Sequence, residues 1–230
     1  YTFIPKGYDI PDTLKYFHIT SNNTIYGTQY HGYPVSPVPY IIDMSSDMFS
    51  RQLEYNQFDL IYAGAQKNIG PAGVTMVIVK ESLLGKVNRQ IPTMMDYRTH
   101  IKEGSMFNTP PVFPIYVTML TLRWIKERGL AKIEADNKAK ADLLYGAIDS
   151  NPLFKGTVAK EDRSWMNVNF IMEDRSLEPE FLQFAKENKC IGLAGHRSVG
   201  GMRASIYNAL GIESVQLLVN LMDEFAKRKG

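Results

Sequence analysis

One lysine between two apolar runs is the feature that most constrains the fold of this chain. Residues 60–62 have the pattern of a buried strand, and residues 74–79 form a second, β-branched run. Small residues, glycines and Lys67 lie between them. The pattern predicts a tight turn that carries Lys67 between two core strands. A lysine in such a crowded turn is a candidate nucleophile for a carbonyl group, whereas a lysine on a solvated loop has no such role.

The glycines around Lys67 also suggest a phosphate-binding loop. The order G-x-x-x-x-G-K-S/T is absent, however, and Lys67 precedes its glycines instead of following them. That alternative is therefore excluded.

The composition is that of an ordinary globular protein, with 44% hydrophobic and 22% charged residues among 230. A net charge of +2 favours neither nucleic acid nor a membrane surface as a partner. Cys190 is the single cysteine, which excludes an internal disulfide and suits a reducing compartment. The sequence shows no signal peptide and no apolar run of membrane-spanning length. We expect a cytoplasmic protein, and we predict no metal site.

Polar residues follow two further predicted strands. Residues 16–19 form a short strand that runs into a polar turn at 20–27, and the apolar strand 40–42 ends on Asp43. Ligands in open α/β sheets bind at the carboxyl ends of strands. The alternatives are ordinary turn chemistry for 20–27 and a turn or helix-capping role for Asp43.

Asp43 and Lys67 lie 24 residues apart, at the ends of neighbouring predicted strands. Pyridoxal phosphate needs such a pair, because an aspartate keeps its ring nitrogen protonated and a lysine binds its aldehyde. The two residues therefore make this cofactor a hypothesis for the chain.

The second half of the chain has a different pattern. A polar loop at 85–104 precedes a helix that Asn108 or Thr109 caps and that stops at Gly129, and exposed amides at the helix start suit a phosphate. Residues 130–148, 179–188 and 212–227 are predicted helices, and residues 164–171 and 202–207 are predicted strands. We place a domain boundary near Arg128, with an α+β region after it.

A basic loop lies between the last predicted elements. His196, Arg197 and Arg203 flank Gly200 and Gly201. Arginine side chains bind carboxylates and phosphates in a bidentate manner, and the glycines suggest close approach of another group to the backbone. The alternative is a solvated basic turn.

With these motifs placed, the chain resembles the phosphoserine aminotransferases, which depend on pyridoxal phosphate. The matching stretches are residues 22–27, 43–46, 63–73, 107–111 and 195–209, and the resemblance extends over essentially the whole chain. It implies an α/β protein with the three-layer fold-type I aminotransferase architecture. Residues 1–128 would be the large domain, incomplete at its N-terminus, and residues 129–230 a small α+β C-terminal domain.

The resemblance also implies the roles of individual residues. Lys67 corresponds to the catalytic lysine that binds the cofactor, and Asp43 to the partner of its ring nitrogen. The other implied cofactor ligands are Thr24 at the ring hydroxyl, Gln66 at the phosphate, and Asn108 and Thr109 at the phosphate of a neighbouring subunit in a homodimer. His196, Arg197 and Arg203 correspond to the substrate-binding set.

The implied reaction converts glutamate and 3-phosphohydroxypyruvate into 2-oxoglutarate and O-phosphoserine, a step of serine biosynthesis. The resemblance also permits a role in vitamin B6 synthesis. The family has roughly 130 further residues before a segment like the one at Tyr1, so we expect this chain to be the C-terminal two-thirds, with the missing N-terminal fragment as a possible partner. The alternatives are an aminotransferase of the alanine–glyoxylate type, which the basic pair His196–Arg197 disfavours, an inactive truncated fragment, and a cysteine desulfurase, which the remote Cys190 disfavours.

Overall fold

A computed structural model describes residues 1–229. The first sheet consists of β1 (Phe17–Thr20), β2 (Tyr40–Asp43), β3 (Leu60–Gly64) and β4 (Thr75–Val79), in that order. β1, β2 and β3 are parallel, and β4 is antiparallel to β3. All four strands lie where their apolar runs predict them. The parallel arrangement brings the carboxyl ends of β1, β2 and β3 to one edge.

Three helices follow the first sheet: α1 (Tyr97–Lys102), α2 (Val112–Arg128) and α3 (Leu130–Ser150). α2 ends as predicted, because Gly129 takes a φ of 79°, a conformation that suits glycine and stops a helix. The predicted loop at 85–104 is wrong in one part, since Asp96 caps α1 by accepting a hydrogen bond from the Arg98 amide.

The second sheet is antiparallel and has the order β5 (Phe154–Gly156), β6 (Asn167–Met172) and β7 (Met202–Ser205). The helices α4 (Glu178–Glu187) and α5 (Ile212–Lys229) pack with it. The sequence interpretation missed β5, because three residues are too few to show a period.

Two hydrophobic clusters form the core, one on each sheet. The long helix α3 contributes to both: Ile133 packs with the first sheet, and Ala141, Leu144 and Ile148 pack with the second. Ile133, Leu144 and Ile148 form an apolar stripe along this helix, and all three are buried. Among residues 1–229, no helix combines the length and the hydropathy that crossing a membrane requires.

Candidate active site

The candidate site lies at the edge where β1, β2 and β3 end. Thr20 pairs with Asp43 across β1 and β2, and Asp43 pairs with Tyr62 across β2 and β3. The polar turn after β1 and the Lys67 turn after β3 therefore leave the sheet side by side. This is the juxtaposition that the strand pattern predicts.

Asp43 is half-buried, and it makes a turn contact, as the alternative interpretation of this residue predicted. Its Oδ1 accepts a hydrogen bond from the Ser45 amide at 2.8 Å, and the Ser45 hydroxyl oxygen in turn accepts one from the Gly64 amide at 3.2 Å. In residues 1–229 no basic side chain forms an ion pair with Asp43. No cation of the described residues therefore balances the charge of this carboxylate.

Tyr62 and His18 lie beside this carboxylate. The pKa of Tyr62 is raised, first by burial and then by the negative charge of Asp43. The Tyr62 hydroxyl and His18 Nε2 are 3.0 Å apart, within hydrogen-bond distance. Sequence reasoning did not assign a role to either residue, since their proximity depends on the register of the strands.

Lys67 is half-buried in the turn between β3 and β4, as predicted. Its Nζ lies 5.3 Å from the centroid of the Tyr207 ring, a cation–π distance. The adjacent Asn68 is buried, and its Oδ1 accepts a hydrogen bond from the Asn208 amide at 3.1 Å. This bond ties the lysine turn to the segment after β7. Tyr207 belongs to a motif that the sequence singled out, but sequence reasoning missed its contact with Lys67.

Thr24 and Arg203 are brought together by the two sheets. Arg203 lies on β7, and its Nη1 donates a hydrogen bond to the Thr24 carbonyl at 3.2 Å. Asn169, the partner of Arg203 on β6, donates its side-chain amide to the Ile25 carbonyl at 2.5 Å. The second sheet therefore holds the polar turn that follows β1.

Gln66 is exposed and its side chain covers Gly64. A Cβ at position 64 would lie 2.6 Å from Gln66 Oε1, so a side chain there would displace the end of the Gln66 side chain.

His196 and Arg197 lie on a turn before β7. His196 Nδ1 and the Ser198 hydroxyl are 2.7 Å apart, and Arg197 is exposed. The close approach predicted at the paired glycines comes from this chain itself, since a Cβ at Gly201 would lie 3.0 Å from the Phe170 carbonyl oxygen. A Cβ at Gly195 would lie 2.0 Å from the Gly200 carbonyl oxygen, so the backbone of the loop excludes a side chain at this position.

Asn108 and Thr109 are exposed in the segment before α2. The side-chain amide of Asn108 donates to the Thr109 carbonyl at 3.2 Å. The predicted helix cap is wrong, because Pro111 occupies the N-cap position and makes no side-chain capping bond. Among the described residues, neither side chain hydrogen-bonds to a predicted site residue outside this pair.

Comparisons with known proteins identify the family to which the chain is similar. A family model described as "Aminotransferase class-V" matches residues 8–218. The phosphoserine aminotransferase of Flavobacterium johnsoniae is 59% identical over 223 residues, which cover 96% of this chain and 63% of that protein. The curated relatives are thus longer, and the chain spans less than two-thirds of their length.

Solved structures give the same picture. One is a structure of phosphoserine aminotransferase from a study of radiation damage of the Schiff base. It matches with a TM-score of 0.95 and 50% identity, and the match covers 99% of this chain and 65% of the other. The structure of the enzyme from Trichomonas vaginalis, described as bound to pyridoxal phosphate, has a TM-score of 0.86 and 42% identity. That match covers 90% of this chain and 60% of the other.

Proposed function

The chain belongs to the class-V aminotransferase family, and from this premise we propose that the protein is a transaminase dependent on pyridoxal phosphate. Its substrates are glutamate and 3-phosphohydroxypyruvate, and its products are 2-oxoglutarate and O-phosphoserine, as in serine biosynthesis. The observation that carries the proposal is the position of Asp43 and Lys67 at one sheet edge, each outside any ion pair with the described residues.

The chemistry of these side chains suits the cofactor. A half-buried carboxylate without a cationic partner favours a protonated ring nitrogen, and the amine of Lys67 suits an aldehyde carbon. The Thr24 hydroxyl and the Gln66 amide add hydrogen-bonding groups for the ring hydroxyl and the phosphate. When bound, the cofactor supplies an electron sink for the substrate α-carbon.

The residues of the chain then divide the work. Lys67 would hold the cofactor aldehyde, and its free amine would move the proton at the substrate α-carbon. Asp43 would keep the ring nitrogen protonated through its charge. The ring of Tyr207 packs against Lys67 and limits the space that its amine can sample.

Substrate recognition is proposed for the basic residues around β7. Every substrate of this reaction has an α-carboxylate, and Arg203, half-buried on a strand, suits a bidentate contact with it. His196 and Arg197, on the exposed turn, suit the phosphate of phosphoserine or the second carboxylate of glutamate.

We propose a homodimer with shared sites, in which Asn108 and Thr109 bind the phosphate of the cofactor in the partner subunit. The start of α2 supports this proposal, because Val112 and Phe113 are 70% and 72% exposed. Large apolar side chains on one exposed helix face mark an interaction surface. The exposed position of Asn108 and Thr109 beside this surface is what a shared site requires.

The domain division near Arg128 is likewise a proposal. Each sheet has its own hydrophobic cluster, which supports two units. However, Ile133 of α3 packs with the first cluster, so the first turns of α3 belong with the large domain in their packing.

Covalent labelling tests the function. Borohydride added to the protein with pyridoxal phosphate should attach the cofactor to Lys67, and peptide mass spectrometry should locate it there. The Lys67→Ala variant should show neither this label nor transamination. Labelling of another lysine, or cofactor binding with no reducible link to Lys67, would contradict the proposal.

A further inference from the structure

A buried lysine lies behind the candidate site. Lys140 of α3 is only 1% exposed, although lysine is almost never fully buried without a partner. Its Nζ donates hydrogen bonds to the carbonyl oxygens of Ile206 at 3.0 Å, Tyr207 at 2.7 Å and Leu210 at 3.0 Å. All three N–H donors of the ammonium group are thus used on one short segment, residues 206–210.

This segment carries the ring that faces the candidate catalytic lysine. Tyr207 is held by its carbonyl, which binds Lys140, and by its hydroxyl, which accepts a hydrogen bond from Asn167 Nδ2 at 3.0 Å. Its ring centroid lies 5.3 Å from Lys67 Nζ. A shift of the segment would therefore change the surroundings of the Lys67 amine.

A second buried side chain on α3 reaches the same place. Asn137 donates to the Ser50 carbonyl at 2.9 Å and to Asn208 Oδ1 at 2.8 Å. Asn208 in turn donates its amide to Asn68, next to Lys67. Lys140 and Asn137 lie three residues apart, so one face of α3 supports both the Tyr207 segment and the lysine turn.

The charge of Lys140 matters for this support. Burial lowers its pKa to about 8, the nearby Asp136 raises it and Arg128 of α2 lowers it. The three carbonyl oxygens favour the ammonium form, which has three donors. A neutral amine has only two, so loss of the proton leaves one buried carbonyl without a donor.

We propose that Lys140 is a positioning residue for the Lys67 site, and that its ammonium group fixes the segment 206–210 so that the Tyr207 ring stays against the Lys67 amine. The proposal deepens the proposed function and rests on it, since it assigns Lys67 the catalytic role. It concerns contacts within this chain, so it is testable without the cofactor.

Nuclear magnetic resonance tests the coupling directly in the cofactor-free chain. The Tyr207 ring resonance is assigned by Tyr207→Phe, and the Lys140 side-chain resonance by its through-bond connection to the Lys140 backbone amide. In a pH titration, we expect both resonances to move with the same midpoint, about 8. The pH-dependent shift of the Tyr207 resonance, the Tyr207 step, should persist in Lys67→Ala. Its persistence would show that Lys67 is not the titrating group. The proposal is overturned if the Tyr207 resonance does not shift over the pH range in which Lys140 titrates, whatever the midpoint of the Lys140 titration.

Lys138 gives a matched control for Lys140. Lys138 lies on the same helix, is exposed and pairs with Asp142. The Tyr207 step should be lost in Lys140→Met and unchanged in Lys138→Met. If Lys140→Met does not fold, the wild-type and Lys67→Ala titrations still decide the question, because there the two resonances either move together or do not.

The two proposals fail in different ways. If borohydride attaches no cofactor to Lys67, the proposed function is wrong, whatever the resonances show. If Lys67 is labelled but the Tyr207 resonance does not follow Lys140, the function stands and the positioning role is wrong.

Discussion

At the scale of single residues, Asp43 illustrates how one side chain can serve both a turn and a site. One of its oxygens accepts the Ser45 amide, as in an ordinary turn. The same bond orients the carboxylate at the sheet edge, beside Tyr62. The structural and the proposed functional role are therefore compatible, and a substitution that preserves shape but removes charge separates them.

Asp43→Asn is that substitution. The amide can still accept the Ser45 hydrogen bond, so we expect an unchanged melting temperature. It cannot hold the ring nitrogen of the cofactor protonated, and transamination should fall by about a hundredfold or more. Steady-state rates and thermal denaturation of the two proteins check this. Near-normal activity would remove Asp43 from the site.

The arginines predict a difference between substrates. Arg203→Lys should weaken both half-reactions, because a lysine cannot reproduce the bidentate contact with the α-carboxylate. Arg197→Ala should weaken the reaction of phosphoserine more than that of glutamate, since phosphate carries more charge. A lost charged hydrogen bond is worth about 1.5–3 kcal/mol, or about tenfold to a hundredfold in kcat/KM.

Single-turnover measurements with each amino donor make this comparison. Arg203→Lys also tests the packing, because Arg203 donates to the Thr24 carbonyl. A melting temperature for each variant separates the two effects. Equal losses for both donors in Arg197→Ala, or a larger loss for glutamate, would refute the division of roles.

At the scale of elements, α3 is the helix that the two sheets share. Its apolar stripe packs with both hydrophobic clusters, and its buried Asn137 and Lys140 bind segments from both halves of the chain. Gly146 lies on its exposed face, where nothing stands within 4 Å of an added Cβ. A substitution at Gly146 can therefore change the stability of the helix without touching the face that carries Asn137 and Lys140.

Substitution of Gly146 on α3 and of Gly195 in the loop before β7 should have opposite effects on the free energy of unfolding. Gly146→Ala should raise the free energy of unfolding by about 1 kcal/mol, because alanine loses less conformational entropy in a helix. Gly195→Ala should lower it by about 1–3 kcal/mol, because the new Cβ would clash with the Gly200 carbonyl. Urea denaturation measures both, and a neutral Gly195→Ala would show that the loop relaxes at little cost.

At the scale of the whole molecule, polar contacts join the two halves next to the site. Asn22, in the turn after β1, donates to Asn167 of β6 at 2.8 Å, and Arg203 of β7 binds the Thr24 carbonyl. The exposed apolar start of α2 lies outside these contacts and is available for a second copy of the chain. A shared site would make activity a property of the dimer.

Mixing inactive variants tests the shared site. Lys67→Ala subunits lack the amine proposed to be catalytic, and subunits altered at both Asn108 and Thr109 lack the contacts proposed to cross the interface. Each mixed dimer should contain one intact site, so random association should restore about a quarter of wild-type activity. Mixed dimers are detected by native mass spectrometry with one subunit tagged. Mixed dimers without activity would contradict the shared site.

The sequence alone determined much of this protein, because apolar runs and glycines act locally. The four strands of the first sheet, the end of α2 at Gly129 and the closing helix α5 follow from side-chain period and turn chemistry. The same runs, with Asp43 and Lys67 at their ends, predicted the edge at which these two residues lie. The family resemblance added roles that spacing cannot supply.

Only the tertiary structure decided which side chains support that edge. Lys140 has the pattern of a solvated helix residue, since a charged side chain is normally exposed, yet three carbonyl oxygens 66 to 70 residues away enclose it. The contact of Tyr207 with Lys67 likewise depends on how the segment after β7 folds back on the first sheet. Such contacts join residues distant in the chain and satisfy buried polar groups, and local sequence patterns carry no information about either.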